Sequence, residues 1–213
     1  MEKGLRQRIW ATHWTEFVSR LFQDAEPYLA VRGDMPHARV SHGYAVMLME
    51  QEGGDKRIVE PAIILHDVGW SQLDPDVIKG AYGVRAKGDE WRNLNNVHEV
   101  AGQNIARQIL ERYSYEPRLI RIITSIIRTH DSGKGARSIE EAVVKDADKL
   151  WRFSEIGFSV ETGRQGISAM ELYRHLEKNV KSWFFTQTAF TIAQQELSKR
   201  RNLLTQGEER TYD

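Results

Sequence analysis

The sequence predicts an all-α protein, a single helical-bundle domain spanning residues 1–213. Three observations carry this. Apolar residues recur at spacings of three and four along nearly every stretch, no segment sustains the apolar/polar alternation of a strand, and Pro, Gly and a Ser cap fall where helices should begin or end.

Residues 5–29 form the first predicted helix, with Ile9, Trp10, Trp14, Phe17, Val18, Leu21 and Phe22 on one face and an end near Pro27. A second runs over 36–50, stopped by Gly53-Gly54. The third covers 57–68, with Pro61 tolerated in its first turn and Gly69 following the last apolar residue. Residues 69–97 keep no steady period. They carry the turn signal Asp74-Pro75-Asp76 and glycines at 80, 83 and 88, and read as a long loop with short helical turns, a length that often marks a lid or binding loop. Helices resume over 97–113 and 116–129, the latter with Pro117 at its first position. Ser138-Ile139-Glu140-Glu141 matches a capping box and opens a helix through 153. Two more helices follow Gly166, separated near Asn179. No repeat, low-complexity tract or linker divides the chain.

Composition removes several function classes. With no cysteine there are no disulfides, thiolate zinc sites, iron–sulfur clusters or cysteine nucleophiles, so any metal must be held by imidazole and carboxylate. Thirty Lys+Arg balance thirty Asp+Glu, which leaves no broad basic field for a nucleic-acid polymer. The N-terminal MEKGLRQRIW lacks the apolar stretch of a secretory signal, so a cytoplasmic location is expected. The longest uncharged stretch, 182–195, is too short and polar to span a bilayer and reads as a packed helix.

The polar, metal-competent residues fall on the apolar stripes of these helices. His66 follows Ile63, Ala62 and Val59 by three, four and seven; His130 follows Ile127, Ile126 and Ile123 by the same intervals. His98 leads into Ala101, Gly102, Ile105 and Ile109, and His37 into Val40, Tyr44 and Leu48. Asp148 lies four after Val144 and three before Trp151, and Asp67 follows His66 directly. Taken singly, each is an ordinary core histidine or cap. Jointly, four imidazoles and two carboxylates aimed into one core are hard to satisfy without a metal. Neighbours on a helix point about 100° apart, so His66 and Asp67 converge only if the backbone leaves helical geometry before Gly69.

With His37 opening HARV, the HDVGW run at His66-Asp67, then His98, His130 and the Asp148 of KDADKLW, the chain resembles the HD-domain superfamily of metal-dependent phosphohydrolases over about residues 36–153. His42 is the competing candidate for the first histidine, and Asp146 does not match the last acid. The resemblance implies an all-α HD-domain fold and a minimal site of His37, His66, Asp67 and Asp148 around one divalent metal. His98 and His130 match the two histidines that some branches add, which implies a dinuclear centre with Asp67 as the bridging, catalytic carboxylate; in other members such histidines bind substrate or water.

Manganese, iron, cobalt, nickel, zinc or magnesium, as one or two ions, suit this ligand set, although mixed His and Asp argues against magnesium alone. The expected reaction is hydrolysis of a phosphoester or phosphoanhydride of a small metabolite, by analogy a nucleotide, with metal-activated water. Arg152, four after Asp148, is the leading phosphate-binding candidate, with Lys134, Arg85, Lys87 and Arg92 behind it and Lys149 pointing away. Asp131 is a candidate general acid whose ordinary role is a solvated helix-end carboxylate. Trp70, Tyr82 and Trp91 either stack on a base or close the core. His13, His42 and His175 read as ordinary residues. Two other classes share the pattern: a di-iron oxygenase and a non-catalytic nucleotide sensor. Oligomeric state is not legible.

Overall fold

The computed structural model describes the backbone of residues 2–81 and 89–209 and the side chains of residues 13–78 and 92–205. Ten α-helices and no strand occur among the described residues: α1 (Glu2–Leu29), α2 (Met35–Glu52), α3 (Lys56–Leu65), α4 (Pro75–Ala81), α5 (Asp89–Arg112), α6 (Pro117–Ile127), α7 (Ile139–Leu150), α8 (Glu155–Gln165), α9 (Ala169–Trp183) and α10 (Gln187–Glu209). Single 3-10 turns at Val68–Gln72 and Trp151–Phe153 follow α3 and α7. No described helix is long and apolar enough to cross a membrane.

Helix α3 is the centre of the bundle, packed against α1, α2, α6 and α7. Its residues from Ile58 onward are buried, so it has no solvent face to mark with polar residues. Asp55 caps it by accepting the Arg57 N–H at 2.9 Å. Pro61 lies inside the helix rather than in its first turn, and lacks the N–H that would bond the Arg57 carbonyl four residues back. The Tyr115 hydroxyl donates to that carbonyl instead, at 2.8 Å. One continuous core reaches from Leu21 to Leu197 and joins α1, α2, α3, α5, α6 and the later helices.

Several expectations are corrected. Helix α1 passes through Pro27 and ends at Leu29, its core contacts falling at Leu21, Ala25 and Leu29. The third helix stops at Leu65, not 68. The long loop predicted over 69–97 contains a 3-10 turn, α4 and the first two turns of α5, which begins eight residues before Val97. Residues 155–165, between the predicted helices, form α8, capped by the Ser154 hydroxyl accepting the Gly157 N–H. No break occurs at Asn179, whose amide donates to the His175 carbonyl within α9. The chain turns at Phe184–Thr186, so the 182–195 stretch straddles two helices. Buried Asp146 makes that turn by accepting the Phe185 and Thr186 N–H groups and the Thr186 hydroxyl, the last two at 2.8 Å.

Gly69 has a further reason for being glycine. A Cβ there would collide with the His98 carbonyl and the Gly102 backbone, and one on Gly102 would lie 3.3 Å from the His66 carbonyl. The two glycines let the turn after α3 rest directly on α5, and this close approach brings Asp67 beside His98.

Candidate metal centre

The six residues singled out by their spacing meet in one buried place. His37 comes from the first turn of α2, His98 from α5, His130 from the turn after α6 and Asp148 from the last turn of α7. His66 keeps helical angles (φ −59°, ψ −38°) beyond the end of α3, while Asp67 leaves them (φ −100°, ψ 4°). That change of backbone lets both side chains converge, as the one-residue offset required.

Asp67 spans the cluster. Its Oδ2 lies 3.5 Å from His37 Nδ1 and 3.6 Å from His66 Nε2, and its Oδ1 lies 3.4 Å from His130 Nε2 and 3.9 Å from His98 Nε2. Asp148 Oδ1 is 3.0 Å from His37 Nε2 and 3.5 Å from His66 Nε2. Three sets of donors converge to within 4.8 Å: His37, His66 and Asp148; His66, Asp67 and His130; and His98, His130 and Asp131.

The imidazoles are aimed by the backbone. His66, His130 and His98 direct Nδ1 at the carbonyls of Ile63 (2.7 Å), Ile127 (2.8 Å) and Leu94 (3.3 Å). This hydrogen bond places the proton on Nδ1 and leaves the Nε2 lone pair facing the centre, the outer-shell arrangement of metal-binding histidines. His66 Nε2 is buried and has no hydrogen-bond partner. Such an atom is costly unless something binds it. The site therefore fits a divalent cation, with lone pairs and carboxylates converging and one orphaned nitrogen among them.

The charges agree with this. Burial opposes ionisation of Asp67, but His66, His130 and His37 outweigh it and hold the carboxyl well below the usual carboxylate range. For Asp148, the hydrogen bond with His37, the nearby His66 and the charge of Arg152 likewise outweigh burial and hold its carboxyl well below the usual range. Burial and the neighbouring His130 push His98 down to about 4, whereas Asp131 and Asp67 overcome burial to raise His130 to about 10. The two Nε2 atoms of His98 and His130 lie 3.3 Å apart.

Two tryptophans wall the cluster. Trp70 stacks on His98 with centroids 4.0 Å apart and donates Nε1–H to Asp67 Oδ1 at 3.0 Å, so it orients the carboxylate rather than offering a face to a base. Trp151 stacks on His37 at 5.2 Å, its own Nε1–H taken by Glu161 at 3.1 Å. Trp70 follows Asp67 by three residues, a helical spacing that was a readable signal; the role of Trp151 emerges only from tertiary contact.

The remaining candidates fall as follows. Arg152 lies in the 3-10 turn after α7, and its charge acts on Asp148. Lys134 is exposed on the loop between α6 and α7. Lys149 places its Nζ 5.1 Å over the Phe185 ring and donates to the Lys145 carbonyl at 3.4 Å. Arg92 is exposed at the start of α5. Tyr82, Arg85 and Lys87, and the side chain of Trp91, lie outside the described residues. His42 bonds Glu60 at 2.8 Å instead of joining the cluster. Asp131 is exposed at the helix end and still brings Oδ2 to 3.5 Å from His98 Nε2.

The HD domain family model matches residues 37–152, more than half of the chain. Among solved structures, the chain is similar to the crystal structure of an HD-superfamily hydrolase from Bacillus thuringiensis, with a TM-score of 0.62 and 21% identity over 93% of this chain and 98% of that one. This likeness carries the all-α fold. No curated protein sequence matches significantly.

Proposed function

The chain belongs to the HD-domain family, and from that premise we propose that it is a metal-dependent phosphohydrolase acting on a small phosphorylated metabolite, with a nucleotide as the substrate class. His37, His66, Asp67, His98, His130 and Asp148 hold the metal. The observation that carries this reading is the buried, unpartnered His66 Nε2 at the meeting point of two buried carboxylates and two further imidazoles, those of His37 and His130. A divalent metal bound there supplies Lewis acidity toward a phosphoryl oxygen and lowers the pKa of water.

The chain's own residues do the rest. The Ile63, Ile127 and Leu94 carbonyls orient three imidazoles, and Trp70 fixes the rotamer of Asp67 so that its two oxygens face different histidine pairs. Arg152 places a positive charge beside Asp148, where an anionic substrate group needs one. With zero net charge overall, attraction for phosphate is local to this centre.

The test is phosphate release under anaerobic conditions with manganese, screened over nucleotides, sugar phosphates and dinucleoside polyphosphates. Turnover that disappears in His66→Ala and Asp67→Ala with the fold retained is the expected result. Unchanged turnover in both variants overturns the proposal, as does oxygen consumption by an iron pair without phosphate release, which identifies an oxygenase.

A further inference from the structure

Asp131 follows His130 directly, beyond the end of α6, and is not one of the six residues assigned above. Its Oδ2 lies 3.5 Å from His98 Nε2 and 3.8 Å from His130 Nε2, and these three side chains form a convergent donor set separate from that of His37, His66 and Asp148. The turn carrying Asp131 is built in place from both sides. Glu99, whose side chain is fully buried, accepts the N–H of Asp131 at 3.0 Å, the N–H of Ser132 at 2.9 Å, the Ser132 hydroxyl at 2.6 Å and Arg128 at 3.2 Å. From the other side Lys145, equally buried, donates to the carbonyls of Gly133 at 3.3 Å and Gly135 at 2.6 Å. A Cβ on Gly133 would lie 2.6 Å from the Thr129 carbonyl and 2.7 Å from Lys145 Nζ, so only glycine fits this turn without displacement.

A solvated helix-end carboxylate needs no such support. A buried carboxylate with four hydrogen bonds is an expensive device, and what it holds still is the position of Asp131. We propose that Asp131 is a seventh metal-binding residue, completing with His98 and His130 an outer site that Asp67 Oδ1 faces, beside an inner site of His37, His66 and Asp148. This rests on the metal-centre reading above. The two sites differ in access: the Asp131 side chain is 27% exposed, against 7% for Asp67 and 5% for Asp148. An ion held at the outer site would be the more accessible of the two to solvent and to a substrate phosphate. Two imidazoles with carboxylate oxygen suit manganese, iron or zinc.

The experiment is metal counting by elemental analysis and manganese titration by calorimetry on the intact protein and on Asp131→Asn, an isosteric change at a partly exposed position, with circular dichroism to verify the fold. Two ions on the parent protein, and in Asp131→Asn one ion bound as before with the second weakened by about tenfold or more, is the expected result. Two ions bound unchanged in the variant, loss of both together, or only one ion on the parent protein overturns the inference and leaves the metal centre standing on its other six residues. No ion on the parent protein overturns the metal-centre reading itself.

Discussion

Asp146 and Asp148, two residues apart on α7, carry opposite burdens, and replacing each in turn separates fold from site. Asp146 is fully buried and accepts the Phe185 N–H at 3.0 Å, the Thr186 N–H at 2.8 Å and the Thr186 hydroxyl at 2.8 Å, while that hydroxyl in turn accepts the Ala189 N–H at the start of α10. Asp146→Ala leaves the Thr186 amide buried without an acceptor and loosens the cap. An unmet buried donor costs about 1–3 kcal/mol and a lost charged hydrogen bond about 1.5, so destabilisation of about 3 kcal/mol is expected. For a chain of this size that lowers the melting temperature by about 6–12 °C. Asp146→Asn keeps an acceptor oxygen and should lose about a third as much. The assay is thermal and urea unfolding beside metal counting on the same samples. Both Asp146 variants should retain the parent's metal, and Asp148→Ala should lose metal while remaining folded. An Asp146→Ala protein that melts with the parent but binds no metal refutes the assignment of the two acids.

Three further outcomes follow from the geometry. Trp70→Phe keeps the ring on His98 but removes the donor to Asp67 Oδ1, so metal affinity measured by calorimetry should fall about 10–100-fold with the fold intact; unchanged affinity would show that Trp70 only packs. Burial raises the Glu141 carboxyl, but Arg137 and Lys145 outweigh it and bring it from an ordinary 4.5 to about 2. A folded pKa below the unfolded one means the stabilisation is complete above the unfolded value and is lost as pH falls from about 4.5 to 2; discounted for exposed Arg137, Glu141→Gln should cost about 2 kcal/mol at pH 6 and much less near pH 3 in urea melts, whereas a cost independent of pH contradicts the pairing. Gly69→Ala drives a methyl into the His98 carbonyl and the Gly102 backbone, so it should lower both melting temperature and metal retention; a variant like the parent in both would mean that the turn does not rest on α5 as described.

The legible parts of the fold were the helices with one wet and one dry face. Helix α6, with Leu119, Ile120, Ile123, Ile126 and Ile127 on its buried side, is visible in the sequence because apolar spacing and burial coincide. The start of α5 is not, because its buried side there consists of Leu94, Asn95, His98 and Glu99, mostly polar residues that leave no apolar stripe to read. Helix α8 escaped for a related reason: it buries little beyond Gly157, Phe158 and Glu161. Asn179 misled because its side chain bonds a carbonyl inside the helix rather than ending it. The six-residue cluster was readable since five members recur at inward apolar spacing, and Asp67 joins them because the backbone leaves helical geometry after His66. Its supports were not: Trp151 against His37, Glu99 beneath Asp131 and Asp146 under α10 depend on elements far apart in the chain, which no local pattern records.

The claim that the buried histidine and aspartate cluster is a metal centre is tested most directly by anomalous diffraction from crystals of the manganese-loaded protein. A peak at coordination distance, about 2–2.3 Å, from His66 Nε2 and from a carboxylate oxygen of Asp148 or Asp67 is the predicted result. No peak there, with the imidazoles and carboxylates still bonded to one another, would contradict it.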